Sequence, residues 1–470
     1  MKKLLLAVLM ASLVAMPAFA SVQNVKISGD IDSTWVVRDQ FDLGDVTIAE
    51  NFYQNFLMTQ TRLRVDADLT DNVQATVALI NERVWDEEDA ANSDIDVNLA
   101  FVTLKEMLYS PLTVIIGRQV FAYGNSFVVD ATGTNNATAT GGINNVAEDM
   151  TKRSALDAVR MVLDYNPLTI DIVAAKVDAN NLLGTGAQDD DVDLFGSNAN
   201  YQVGDAWQSV VEAYFWAKID QSTKGTSGTG RKPDTVYTPG IHASTNPVKG
   251  LNVSAELALQ RGNKAATAGT TDNVKREAQA AQIITSYQVQ AEAVKKWEPV
   301  VVGAYTYVSG DSNAVEAKGS TNDRYTAWDP MFENQSGGTI YNTLFDLTNA
   351  HIMTAKASVK PLEDVTATLQ WDALWVDKEV FNGNQGNCGG AGPSCSPTSF
   401  TMRQPDGSTT SPRTTTNKKV GDEVGVGLLY AYTEDVTFGA KASWFTPGEF
   451  FHSDNDETAS QFILNGNVIF

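Results

Sequence analysis

Cysteine, histidine and long apolar runs are all scarce in this chain. Two cysteines and three histidines in 470 residues exclude a disulfide scaffold and a Cys-rich metal centre. There is no C-x-x-C-H segment for covalent haem. Positive charge is also in deficit, with 34 Lys and Arg against 57 Asp and Glu and a net charge of −23. That balance excludes sequence-independent nucleic-acid binding, which needs clustered cations. After the first twenty residues no run of 18 apolar residues occurs, which excludes helical membrane spans. Apolar residues still make up 43% of the chain, so disorder is excluded as well.

The N-terminus reads as an export leader. Met1-Lys2-Lys3 is a short positive segment, Leu4 to Met16 is apolar, and Ala18-Phe19-Ala20 is a small-x-small cleavage site. The expected cut lies between Ala20 and Ser21. It leaves residues 21–470 as the mature chain, exported by the Sec route. Without helical spans, such a chain is either soluble or a closed barrel in an outer membrane.

What is abundant is alternation. Leu57, Leu63, Val65, Ala67 and Leu69 interleave with Gln60, Arg62, Arg64, Asp66 and Asp68, the pattern of a strand with one apolar and one charged face. The same grammar recurs in about eighteen segments: 22–37, 51–69, 73–86, 95–106, 111–121, 156–165, 168–177, 192–203, 206–219, 233–245, 250–262, 276–289, 299–309, 347–360, 364–377, 419–432, 435–445 and 457–470. Alternation is patchy in 192–203, 233–245 and 276–289. Length alone suggests about three domains, but the pattern argues for one sheet. Connections alternate short (Thr70–Asn72, Asn166-Pro167, Thr433-Glu434) and long (122–155, 310–346, 378–418). Short periplasmic turns and long extracellular loops are the signature of a transmembrane antiparallel β-barrel. Eighteen strands, with sixteen as the alternative count, put both termini on the periplasmic side. The final strand steps through Phe462, Leu464, Gly466 and Val468 to a terminal Phe470, the kind of ending read by the barrel-assembly machinery. Tyr165, Tyr201, Trp207 and Tyr432 near one set of strand ends, and Trp35, Trp85, Trp375 and Trp444 near the other, suit two interfacial girdles.

An 18-stranded barrel has room for an aqueous lumen. Alternation assigns Arg62, Arg64, Asp66, Asp68, Glu82, Arg160, Glu212, Lys218, Lys356, Asp372 and Lys441 to that lumen, together with Asp96, Asp164, Asp171, Glu256 and Glu423. Arg118 has the parity of the lipid-facing Val114 and Ile116. A bulge at Gly117 would turn it inward, and the cost of Arg in lipid favours the lumen. Arg62 and Arg64 with Asp66 and Asp68 form a charge ladder, read either as a constriction or as paired wall residues. Cys388 and Cys395, in a Gly/Ser/Pro-rich loop, are a disulfide candidate in an exported chain, with free thiols or an intermolecular bond as alternatives. Acidic runs at Asp189–Asp191 with Asp193, and at Asp454, Asp456 and Glu457, read as solvated clusters, or as sites for divalent ions bridging lipid phosphates. None of His242, His351 and His452 lies in a recognisable Ser/His/Asp setting, so no enzyme, cofactor or resident metal is expected.

Several stretches resemble the alginate export family of outer-membrane barrels. They are Val97–Leu104 followed by Leu112–Gln119 with its Gly117-Arg118-Gln119 and a nearby Tyr123-Gly124, the strand Tyr305–Val308 ending in Ser309-Gly310-Asp311, Trp328-Asp329-Pro330-Met331-Phe332, and a strand ending at Lys360-Pro361. The resemblance implies an 18-stranded export or diffusion channel. Lumen acids outnumber lumen bases here, which favours a general or mildly cation-preferring pore for small polar solutes over a path for a uronate polymer. A barrel scaffold or interaction protein is the further alternative. The expected surroundings are outer-membrane lipid, lipopolysaccharide and the assembly machinery, as a monomer or homotrimer.

Overall fold

A computed structural model describes residues 23–44, 52–86, 95–132, 148–178, 191–221, 233–265, 274–311, 324–335, 340–379, 402–403, 409–410, 412 and 414–470. The expected leader and cleavage site at Ala20 and Ser21, and the cysteine pair Cys388 and Cys395, lie outside the described residues.

The chain forms one antiparallel barrel of eighteen strands. In order they are β1 (Asn24–Asp39), β2 (Tyr53–Thr70), β3 (Val73–Val84), β4 (Asp96–Leu104), β5 (Leu112–Gln119), β6 (Leu156–Asp164), β7 (Leu168–Asp178), β8 (Val192–Gln202), β9 (Val210–Asp220), β10 (Asp234–Val248), β11 (Leu251–Lys264), β12 (Val274–Gln288), β13 (Val300–Val308), β15 (Ala350–Leu362), β16 (Val365–Val376), β19 (Lys419–Ala431), β20 (Val436–Pro447) and β21 (Ala459–Ile469). Three two-residue pieces, β14 (Arg324–Tyr325), β17 (Met402–Arg403) and β18 (Thr409–Thr410), lie in the connections. Each wall strand pairs with its neighbours in sequence, and β1 closes on β21 from Asp30 opposite Ile469 to Asp39 opposite Ser460. Closure leaves no wall edge unpaired, as a hydrocarbon surround demands.

Period two sets the two faces. On β2 the side chains of Leu57 and Leu63 are exposed on the outside, whereas Met58 and Gln60 are buried within. On β21 Phe462, Leu464, Val468 and the terminal Phe470 all look outward. The backbone of Phe470 exchanges hydrogen bonds with Gly29, sealing the seam at the short-turn end. The Lys249-Gly250 hairpin shows why those turns stay tight: Gly250 sits at φ +83°, where a Cβ would approach the Gln288 carbonyl to 2.6 Å.

The segments with patchy alternation are strands too, β8, β10 and β12. Their inward positions include Leu194, Val236, Ala278 and Ala280, all buried. An apolar residue on each face blurs a two-sided pattern. These inward apolar residues meet connections that fold back into the barrel. The β5–β6 and β13–β15 connections contribute Phe121, Tyr123, Phe127, Val128, Val129, Trp328, Met331, Phe332, Ile340 and Leu344 to one buried cluster with wall residues Trp216 and Phe445. The barrel therefore has a hydrophobic core within its long-loop half.

Candidate functional site: the lumen and its inward loops

The inner wall carries most of the charges that alternation places there. Arg62 Nε donates to Asp30 at 2.6 Å, and Arg64 pairs with Asp66 at 2.8 Å. Asp66 also accepts from Thr76, and Asp68 accepts from Gln74 Nε2 at 3.2 Å. The charge ladder is thus made of cross-strand and near-neighbour pairs. Arg160 bonds Asp171 at 2.8 Å and lies over the Tyr123 ring. Farther round, Lys356, Thr368, Gln370, Asp372, Gly425 and Lys441 line a recess of about 300 Å³. Asp372 accepts from Thr354 and Gln370.

Arg118 departs from the expectation. The register runs unbroken through Gly117, with Arg118 opposite Asp157 and Ile116 opposite Val159. No bulge turns it inward. It keeps the outward parity of Ile116 and meets Asp157 at 3.3 Å and the Arg153 carbonyl at 3.2 Å. The cost of Arg in lipid is met by partners instead, since a carboxylate and a carbonyl lie beside the guanidinium. In the acidic run at the start of β8, Asp191 and Asp193 pair with Lys176.

The two inward loops interlock. Asp130 N donates to the Phe332 carbonyl at 2.8 Å, Phe332 N to Val128 at 3.1 Å, and Asn334 N to Ser126 at 2.9 Å. The rings of Phe127 and Trp328 stack at 5.9 Å. Around this contact, the loops are tied to the wall at several points. Asp329 bonds Lys218 at 2.6 Å and lies 3.8 Å from Arg276, while its backbone makes two hydrogen bonds with the Gln260 side chain. Burial would raise the Asp329 carboxyl, but Lys218 and Arg276 hold it below the usual range. Glu423 accepts from the backbone N–H groups of Ile340 and Tyr341 at 3.0 and 2.9 Å, capping the one-turn helix Ile340–Leu344. Glu82 accepts from Gln60, Thr151 and Lys152 N, and meets Arg153 Nε at 3.1 Å. Arg38, its side chain fully buried, donates to Gln461 and to Asp149, which also accepts from Thr343.

A fifth tie corrects the reading of the histidines. His242 Nδ1 lies 3.1 Å from Glu212, and its Nε2 lies 2.9 Å from Ser254 Oγ. Three adjacent strands thus assemble a Ser–His–Glu line that is invisible as a local motif. The group is engaged in holding a loop: Ser254 Oγ donates to Asn125 Oδ1 at 2.6 Å, and Asn125 N donates to Glu256 at 2.7 Å. A Cβ at Gly124 would run into the Glu256 carboxylate.

Comparison with known proteins accords with this architecture. Among solved structures, Pseudomonas aeruginosa OccK2 (OpdF), in complex with glucuronate, superposes with a TM-score of 0.53 at 10% identity, covering 96% of this chain and 99% of that one. Acinetobacter baumannii OccAB4 gives 0.52 at 10% identity, covering 96% and 100%, and the P. aeruginosa outer-membrane protein OpdK gives 0.53 at 9%, again covering 96% and 100%. These likenesses establish the fold. No curated protein sequence matches the chain. The profile of the alginate export family matches residues 33–465. The chain belongs to the alginate export family.

In this family member several of the segments that carry the resemblance hold the loops. Trp328–Phe332 contains the Asp329 anchor and the Phe332 bridge. Ser309-Gly310-Asp311 clamps the base of the second loop: Ser309 Oγ donates to the Thr326 carbonyl, Gly310 N to Asp377, and Asp311 accepts from Thr326 N. Gln119 of Gly117-Arg118-Gln119 donates to the Ala158 carbonyl at 3.0 Å, and Tyr123-Gly124 begins the tie to Glu256. Sequence reasoning missed Arg38, Asp149, Arg153, Arg276 and Asp329 as site residues. Arg38 and Arg276 carry the right parity, but three of the five lie in connections where parity says nothing.

Proposed function

We propose that this outer-membrane barrel is a passive channel for small polar or charged solutes. The supporting observation is the two-faced wall: a closed 18-stranded sheet with apolar side chains outside and an inner face of paired charges, amides and hydroxyls. The inward loops restrict the long-loop half, so solute size is selected there. The lumen cations Arg62, Arg64, Arg160 and Lys218 are each neutralised by a carboxylate. That favours a weakly selective pore over a basic track for a polyanion. The glucuronate bound to OccK2 makes a sugar acid a sensible test solute here.

The test is purified protein in planar bilayers, followed by liposome swelling with neutral sugars and glucuronate of matched size. Steady single-channel conductance and swelling that falls with solute size are expected. A folded barrel that neither conducts nor permits swelling would favour the scaffold reading. Because Ser254 is committed to Asn125, no adduct with a fluorophosphonate probe is expected; labelling abolished by Ser254→Ala would instead mark an enzyme.

A further inference from the structure

The outer face carries a patch that transport does not use. At the long-loop end of β11 and β12, Arg261 lies opposite Glu277 and Asn263 opposite Lys275, and Arg324 of β14 reaches Glu277 from beside Lys275. Arg261 has the parity of the outward Leu257 and Leu259, and it meets Glu277 at 3.8 Å. Two arginines therefore bracket one carboxylate, and Lys275 stands two positions from it on the same face of β12. Arg261 Nη1 donates to the Gln260 and Ala278 carbonyls, and the Arg261 and Arg324 side chains stay 49% and 65% exposed, which leaves their remaining donors open to the outside.

Height and neighbours say what this patch meets. Leu251, at the short turn, and Arg261 share a face ten positions apart. At about 3.3 Å per residue and a tilt of roughly 40°, that is about 25 Å along the membrane normal, the height of a barrel's apolar band. Arg261 thus sits at the outer edge of the hydrocarbon. Trp375, ten positions above Val365 on β16, sits at the same level. An aromatic row leads to it: Tyr307 opposite His351, His351 opposite Trp375, and Trp375 opposite Lys419, whose ammonium lies 4.0 Å from the Trp375 ring. Between row and patch, Gln279 Nε2 donates to the Tyr307 hydroxyl at 3.4 Å. Below them Leu257, Leu259, Ile283 and Val301 are exposed outward.

We propose that Arg261, Lys275 and Arg324 dock a phosphate of lipid A, the phosphorylated disaccharide anchor of lipopolysaccharide. Cations in excess match a phosphate bearing nearly two negative charges, and arginine forks bind its oxygens in pairs. Gln279 and Tyr307 supply partners for sugar hydroxyls, and the leucine stripe receives acyl chains. The proposal rests on the barrel's place in the outer membrane and not on passage through its lumen. Its failure would leave the channel reading intact.

Native mass spectrometry of the detergent-solubilised barrel, titrated with lipid A, tests it. The R261Q/K275Q/R324Q variant should bind lipid A roughly tenfold or more weakly, while its conductance and heat-modifiable migration, which report folding, stay as in the parent. Lys360→Gln, at the short-turn end, should bind like the parent. Dephosphorylated lipid A should bind the parent as weakly as lipid A binds the triple variant. Equal lipid A binding by parent and triple variant would overturn the proposal. So would phosphatidylglycerol binding as tightly as lipid A, which would mean generic anionic-lipid attraction, or full displacement of lipid A by millimolar inorganic phosphate, which would mean a free-phosphate site.

Discussion

The two halves of the barrel interior are built differently. Toward the long loops, the inner wall presents Trp216, Val236, Ala278 and Phe445, all buried against folded-back connections. Toward the short turns, the inner wall presents Arg64 of β2, Lys356 of β15, Thr366 of β16, Gly427 of β19 and Gly439 of β20, the strand that also carries Phe445. There a Cβ added at Gly427 or Gly439 would come no nearer than 3.8 Å to anything. Arg64 remains 43% exposed. One half is packed like a globular interior; the other is a lined, open vestibule. Resistance to passage therefore resides in the packed half, and the electrostatic character of the solution near the wall resides in the open one. A change that loosens packing should alter conductance strongly, and a change of vestibule charge should alter selectivity weakly.

The largest expected effect comes from Asp329→Ala. It takes the carboxylate from Lys218, leaves Arg276 with Asp234 alone and removes the bond to Met331 N. Breaking a buried pair by removing one partner costs about 3–5 kcal/mol, which is over a hundredfold in the ratio of docked to undocked loop. Single-channel conductance should rise and the second loop should become cleavable by added protease, while the barrel stays folded. Unchanged conductance and protease resistance would mean that the packed half is held without this anchor, and the comparison would lose its physical basis.

A smaller effect should appear with pH. Glu333, in the second loop, is buried, and burial pushes its carboxyl up to about 7; the Gln335 N–H works against this shift, Asp346 and Asp130 add to it, and Arg403 opposes it. The docked loop therefore prefers the neutral acid. Its contribution to docking is fully present below the carboxyl's unfolded value of about 4.3, and it is lost as pH rises through about 7. Conductance should be noisier and higher at alkaline than at mildly acidic pH. In Glu333→Gln that dependence should flatten. An identical pH profile in the variant would assign the response to Asp346, whose carboxyl burial also raises.

The same contrast explains what was legible in the sequence. All eighteen wall strands could be read because lipid imposes an apolar outer stripe on each of them. The open half was the easiest, since Arg62, Arg64, Asp66 and Lys356 alternate with that stripe. The packed half was harder. Leu194 and Val236 are apolar on the inner face, and without knowledge of the loops nothing tells them from lipid-facing residues. Arg118 was misread for a related reason. Parity alone gave the right face, and the argument from desolvation cost left out the partners at hand, the Asp157 carboxylate and the Arg153 carbonyl. The line from Ser254 through His242 to Glu212 could not be seen at all, because it depends on registers among β9, β10 and β11. The loops' family motifs were visible as words, but their work as anchors appears only when Asp329 meets Lys218 across the lumen.

The smallest effects belong to the vestibule, and they sharpen the comparison most. Replacing both Arg62 and Arg64 by Ala removes two cations and leaves Asp30 and Asp66 without them, so the reversal potential in a salt gradient should move toward cations. Conductance should change little. Lys356→Gln should shift selectivity the same way by less, since one charge is lost from the wall of a water-filled space, where fields decay over about 8–10 Å at physiological salt. Raising the salt should shrink both shifts together. If Lys356→Gln instead changed conductance as much as Asp329→Ala, the narrowest passage would lie among Lys356, Asp372 and Lys441. The vestibule would then be the gate, and the packed half would be only its lid.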